Sequence, residues 1–195
     1  MKRIAFLLLF MGGWLVPGAF AQDNEHVQVG VLADYFHLSQ TDNNMVGLGG
    51  RASFVVYKRI KLEGEMAYDF SQAFTEGFTD NSNGNVIFQH TDLRVLHGLF
   101  GPRINLGSHR IQPFVTAKGG FINFRLDDAP ATLGTFTSSV AGLRRNDLIG
   151  SFYPGGGLEG HVGPIGLRFD IGDEMYFTNG THHNLRVTFG PVIRF

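Results

Sequence analysis

From residue 26 onward, apolar and polar residues alternate with a period of two in eight segments of roughly 11–16 residues, at 26–38, 45–57, 60–70, 91–104, 110–125, 146–161, 165–176 and 184–195. Alternation of that length predicts strands with one apolar and one polar face, and it is about the length of a tilted strand that crosses a bilayer. The connections alternate in length. Those at 58–59, 105–109 and 162–164 are short and carry turn chemistry, whereas 39–44, 71–90, 127–145 and 177–183 are long and dominated by Asn, Asp, Ser, Thr and Gly. Tight turns at one rim and free loops at the other predict an all-β fold, an eight-stranded antiparallel up-and-down barrel. Within the second long connection, 74–79 and 85–88 flank Asp80-Asn81-Ser82-Asn83-Gly84, which reads as a projecting hairpin.

The distribution of charge between the two faces separates two kinds of barrel. A membrane barrel is apolar outside and polar inside; a soluble ligand-binding barrel is the reverse. In the third segment Leu62, Gly64, Met66, Tyr68 and Phe70 share one face, and Lys61, Glu63, Glu65 and Asp69 share the other. The seventh repeats this, with Ile165, Leu167, Phe169 and Ile171 against Arg168, Asp170 and Glu174, and the eighth sets Leu185, Val187, Phe189, Ile193 and Phe195 against Arg186, Thr188 and Arg194. The second places Leu48, Ala52, Phe54 and Val56 against Arg51 and Ser53, and the first Val27, Val29, Val31 and Tyr35 against Gln28 and Asp34.

If the polar faces converge, the interior holds Arg51, Arg94, Lys118, Arg168, Arg186 and Arg194 against Glu63, Glu65, Asp69, Asp92, Glu159, Asp170 and Glu174. Unpaired buried ions cost several kcal/mol each, and eight strands enclose a space that side chains fill. The expected interior is plugged by ion pairs. His97 departs from the pattern, falling on the apolar face of the fourth segment with Leu93, Val95 and Leu99; a bulge or a site near the membrane interface would account for it. Tyr35, Tyr57, Tyr68, Phe70, Tyr153 and Tyr176 lie toward strand ends and are expected in interfacial aromatic girdles.

Composition narrows the function classes. With 27 glycines and 19 phenylalanines in 195 residues, the chain is neither disordered nor mainly helical. A formal charge of −1 without a basic run argues against nucleic acid as a partner. The absence of cysteine excludes disulfides and thiolate chemistry. Gly155-Gly156-Gly157 lacks the strand-then-helix setting of a phosphate loop.

Residues 1–21 read as a secretory signal: Lys2 and Arg3, an apolar run from Ile4 to Val16, a break at Pro17-Gly18, and small residues Ala19 and Ala21. The run is too short for a spanning helix. The expectation is export, cleavage after Ala21, and a barrel domain at 22–195.

The final residues, Thr188-Phe189-Gly190-Pro191-Val192-Ile193-Arg194-Phe195, carry a polar residue, a glycine two places on, a hydrophobic residue three further and a terminal aromatic. This resembles the C-terminal insertion signal of bacterial outer-membrane barrels, with Thr188, Gly190, Ile193 and Phe195 in those roles. Over residues 22–195 the chain resembles the small eight-stranded outer-membrane β-barrel proteins of the OmpA-transmembrane-domain and OmpX kind. The resemblance implies residence in a Gram-negative outer membrane, contact with its lipids, delivery by periplasmic chaperones and insertion by the barrel assembly machinery. Both termini would lie on the periplasmic side and four loops outside, where an extracellular ligand would meet them.

Some barrels of this kind are lipid A-modifying enzymes, and His182-His183, near Asp173 and Glu174, is the place to look. The barrel deacylases pair a histidine with a serine two residues on; here those places hold Asn184 and Leu185. The expected protein is therefore not an enzyme and is assigned no catalytic residue, metal or cofactor. Its expected role is structural or interactive, through the loops. The alternatives are a narrow porin-like pore, a lipid-modifying enzyme and a soluble ligand-binding barrel.

Overall fold

The computed structural model describes residues 26–79, 86–107, 110–127, 148–178 and 180–195, the side chains of 72–79, 86–91, 126 and 127 excepted. The expected signal segment and most of the third long loop lie outside the described residues. No helix among those described is long and apolar enough to cross a membrane.

The strands are β1 (Val27–Leu38), β2 (Asn43–Tyr57), β3 (Ile60–Thr79), β4 (Val86–Asn105), β5 (Ile111–Asp127), β6 (Leu148–Val162), β7 (Ile165–Asp173), β8 (Met175–Phe177), β9 (Thr181–His182) and β10 (Leu185–Arg194). Sequential neighbours pair antiparallel, and the sheet closes where β10 pairs with β1, from Gln28↔Arg194 to His37↔Leu185. Around the circumference these are eight staves. β7 and β8 form the seventh and β9 and β10 the eighth, joined across the break by the Glu174 amide, which donates to the Asn184 carbonyl at 2.8 Å.

The segment boundaries read from periodicity match the staves, with one extension. β3 and β4 continue as a two-stranded hairpin from Phe74↔Thr91 to Thr79↔Val86, past the last β2 partner at Asp69 and the last β5 partner at Asp92. A bulge between Asp69 and Gln72 marks where it leaves the barrel wall. The short connections define a turn rim, where Val27 and Phe195 also lie, and the long ones a loop rim.

The expected facing holds around the wall except on β4. Val29, Val31, Leu48, Phe54, Met66, Phe100, Leu158, Leu167, Phe169, Ile171, Phe189 and Ile193 point outward, 41–62% exposed, while Arg168, Arg186, Lys118, Glu63 and Asp69 are at most 1% exposed. Small residues let the wall close tightly. A Cβ on Gly120 would meet the Gly98 carbonyl oxygen at 1.9 Å, and one on Gly190 the Val31 carbonyl oxygen at 2.0 Å. The outward Gly119, next to Gly120, has nothing within 4 Å of that position.

Gly120→Ala is therefore expected to destabilise the barrel by about 1–3 kcal/mol, because backbone must move. Gly119→Ala is expected to be neutral or stabilising by up to about 1 kcal/mol. Urea unfolding from lipid vesicles reads both; equal effects would contradict the packing described.

Candidate functional site: the ionic lumen

The strands place charged side chains at matched heights because register fixes which inward positions meet. Seven carboxylates (Asp34, Glu63, Glu65, Asp69, Glu159, Asp170 and Glu174) share the lumen with Arg51, Lys61, Arg103, Lys118, Arg168, Arg186 and Arg194. Six of the seven carboxylates have an arginine or lysine within 4 Å, and Asp69 has His97 at 2.9 Å.

Toward the turn rim, Lys61 Nζ donates to Gln28 Oε1 at 3.0 Å, and Arg103 Nε to Asn105 Oδ1 at 3.0 Å. Arg103 Nη1 lies 2.7 Å from Glu159 Oε2 but off the donor direction, so that contact is chiefly coulombic. Arg194 Nη2 donates to Glu159 Oε1 at 2.9 Å and also meets His161.

At mid-height Arg168 grips Glu63 with two nitrogens, Nη2 to Oε1 at 2.9 Å and Nη1 to Oε2, and reaches Asp170 at 2.6 Å. Such a fork is the strong geometry for an arginine–carboxylate pair. Lys118 Nζ sits 2.8 Å from both Glu63 and Glu65, and Arg51 donates to Thr188 at 2.7 Å. The Arg103 and Arg168 guanidinium groups both lie over the Phe114 ring, 4.6 and 4.3 Å from its centroid. Tyr153 donates to Asp170 at 2.9 Å.

Nearer the loop rim, Arg186 grips Asp34 through Nε and Nη2 at 2.5–3.0 Å and approaches Glu65 at 2.9 Å and Glu174 at 3.3 Å. His97 bridges Asp69 (Nε2, 2.9 Å) and Glu174 (Nδ1, 3.1 Å) and is wholly buried. The imidazolium form satisfies both acceptors at once. Above this layer Phe36, Leu38, Met45, Leu93, Val95, Ile122, Phe124 and Tyr176, all at most 1% exposed, fill the lumen with apolar side chains.

This apolar plug corrects the reading of the fourth segment. Leu93, Val95, His97 and Leu99 point inward, not toward the surroundings. Arg94 and Asp92 consequently lie on the opposite, outward face of β4, Arg94 in register with the exposed Arg125, and neither belongs to the lumen. Asp34, Lys61, Arg103 and His97 belong to it and were not counted. Arg103 shares the parity of His97, and its outward neighbours Phe100, Pro102 and Ile104 were the available signal. Tyr153 and Tyr176 are likewise buried in the lumen, whereas Tyr35, Tyr57, Tyr68 and Phe70 are exposed on the outside as girdle residues would be.

The histidine pair at the loop rim separates. His183 meets Asp173 at 2.5 Å on the outside, Glu174 turns inward to His97, and His182 contacts Gln40 and the Thr178 carbonyl. The Ser39 hydroxyl donates to the His183 carbonyl, not to an imidazole. Two carboxylate clusters in the lumen have ligand-like spacing, Asp34–Asp69–His97 and Glu63–Glu65–Asp170. Arg186 already grips Asp34 in the first, while Lys118 and Arg168 contact all three carboxylates of the second, so both are neutralised by protein cations.

No family model matches the chain, and no curated protein matches it. Solved structures do. The chain is similar to the N-terminal β-barrel domain of Pseudomonas aeruginosa OprF, with a TM-score of 0.56 at 11% identity over 89% of this chain and 100% of that one. It is similar to Neisserial surface protein A, with a TM-score of 0.53 at 10% identity over 87% and 96% of the two chains. A third similar structure is Ail of Yersinia pestis in complex with the heparin analogue sucrose octasulfate, with a TM-score of 0.50 at 14% identity over 87% and 97%. With its closed circuit of eight antiparallel staves, this chain has the fold of the small eight-stranded outer-membrane β-barrels.

Proposed function

We propose that the protein is a closed, non-conducting barrel of a bacterial outer membrane, exported by residues 1–21 and acting as a structural element or through its loops. The observation that carries this is the inversion of the wall: large apolar residues outside, paired charges inside, and a buried apolar plug across the lumen. Water-exposed apolar surface of that extent is unfavourable in a soluble monomer, and in lipid it costs nothing. The plug also disfavours the porin-like alternative, since a solute would have to displace eight closely packed side chains. The final strand supports insertion by an assembly machinery, with Ile193 and Phe195 exposed on the outside and Thr188 and Gly190 turned inward. The β3–β4 hairpin, standing clear of the wall, is the surface best placed to meet an extracellular partner.

Planar-bilayer recording tests closure. The folded barrel is expected to pass no steady single-channel current; steady currents altered by Arg51 or Glu65 substitution would establish the pore instead. Stability tests the pairing. Arg186→Met is expected to cost about 3–5 kcal/mol, because Asp34 is left buried without its partner. Arg94→Met, on the outer face, is expected to cost less than about 1 kcal/mol in the same urea titration from vesicles.

A further inference from the structure

Two adjacent connections of the turn rim carry exposed cations, Lys58-Arg59 between β2 and β3 and Arg110 just ahead of β5. Their backbone is tied to the next stave: the Asn105 amide donates to the Arg59 carbonyl and the His161 amide to the Arg110 carbonyl, both at 2.9 Å. Among the described residues none of the three cations has a carboxylate within 4 Å, and no exposed Asp or Glu stands at this rim. Glu159, toward the same rim, is wholly buried and already meets Arg103, Arg194 and His161. Lys58 Nζ lies 5.6 Å from the centroid of the exposed Tyr57 ring, a contact that leaves its charge uncompensated.

The backbone of the β2–β3 turn is a second, independent observation. Tyr57↔Ile60 and Val162↔Ile165 are each closed by two residues, and in both turns the first of the two is left-handed. Between β6 and β7 that place holds Gly163, at φ 64°. Between β2 and β3 it holds Lys58, at φ 31°, a conformation that glycine adopts without the Cβ clash a lysine meets. A lysine standing where glycine would relieve the backbone points to a use for its charge.

Height selects the counter-charge. The exposed Tyr57 and Ile60 flank Lys58-Arg59, and Ile111, next to Arg110, is 65% exposed. The apolar wall therefore runs down to the turns themselves, and the cations stand about one residue, or about 3.4 Å, beyond its edge. That places them in the head-group layer, about 5–8 Å thick on each side of the hydrocarbon, where the anions at hand are lipid phosphates. Phosphatidylcholine carries a phosphate too, but its choline supplies a cation of its own. Three unmatched protein cations favour a lipid of net negative charge.

We infer that Lys58, Arg59 and Arg110 form a surface for anionic phospholipid of the turn-rim leaflet, on the β2–β5 side of the barrel. The inference rests on the membrane-embedded reading above and adds a lipid preference to one side of it. Each lysine or arginine near an anionic surface is worth about fivefold in partition.

The test folds the barrel into nanodiscs of phosphatidylcholine with about one-fifth phosphatidylglycerol of the same acyl chains, and counts by native mass spectrometry the lipids retained on gentle extraction. The unaltered protein is expected to retain phosphatidylglycerol above its bulk share, and less so as salt is raised. Arg59→Gln with Arg110→Gln is expected to lower that preference about fivefold per residue. Lys58→Gly removes a charge while relieving the turn, so it is expected to lower the preference about fivefold with heat-dependent gel mobility unchanged. Retention of the two lipids at their bulk ratio would overturn the surface, as would a preference unchanged when the three substitutions are combined. Binding of soluble polyglutamate by barrels in pure phosphatidylcholine, lost in the same variants while mixed nanodiscs show no lipid preference, would assign the surface to an acidic polypeptide and overturn the lipid assignment. Failure of the folded chain to enter nanodiscs at all would overturn the membrane reading itself and this inference with it.

Discussion

Charge pairing inside a narrow, closed wall is the constraint on which the other features depend. Moving a carboxylate or guanidinium out of water costs several kcal/mol, and that cost is offset only when an opposite charge stands at hydrogen-bond distance with the remaining valences satisfied. Here register does the placing. Glu63 and Glu65 on β3 face Lys118 on β5 and Arg168 on β7, and Arg186 on β10 reaches Asp34, Glu65 and Glu174 from three other staves. A slip of one residue in any stave would turn its charges outward and its apolar row inward. The ionic network therefore fixes register as well as filling the lumen.

The lumen is not uniform along its axis. The ionic layers occupy the turn-rim and middle parts, and the apolar plug closes the end toward the loops. His97 stands at the boundary, its ring edge against Phe36 at 4.7 Å and its nitrogens on Asp69 and Glu174. The plug separates the charged layers from the loop rim, so their pairs act at a lower effective dielectric than pairs open to solvent. Rigidity below the plug gives the loops and the β3–β4 hairpin a fixed base, which is what an interaction surface of loops requires.

Most of this was legible in the sequence because the strands with charged residues alternate strictly. In β3, β7 and β10, each charged or polar inward residue is flanked by apolar outward ones, and both facing and pairing candidates follow. β4 was misread for a physical reason. Its loop-rim half borders the apolar plug, so Leu93 and Val95 face inward while the charged Asp92 and Arg94 face outward, and the alternation there is inverted relative to the ionic staves. Arg94 was then assigned inward and Arg103 missed, although Phe100, Pro102 and Ile104 give the parity correctly. Tyr153 and Tyr176 were misplaced because a tyrosine near a strand end suits either an outer girdle or an inner hydrogen bond; Asp170 and Gln40 decide for the inner one. Which charges pair across the lumen depends on the stagger of non-adjacent staves, which periodicity within a strand does not encode.

The sidedness of the wall is measured most directly by fluorescence. Trp14 is the chain's only tryptophan, so residues 22–195 offer a dark background. A single tryptophan is placed either by Phe169→Trp on the outer face or by Phe124→Trp within the plug, and the barrel is folded into vesicles whose acyl chains carry bromine. Strong quenching at position 169 with little at position 124 is the expected result. Equal quenching at the two positions, or stronger quenching at 124, would contradict a barrel that turns its apolar rows to lipid and its charges to one another.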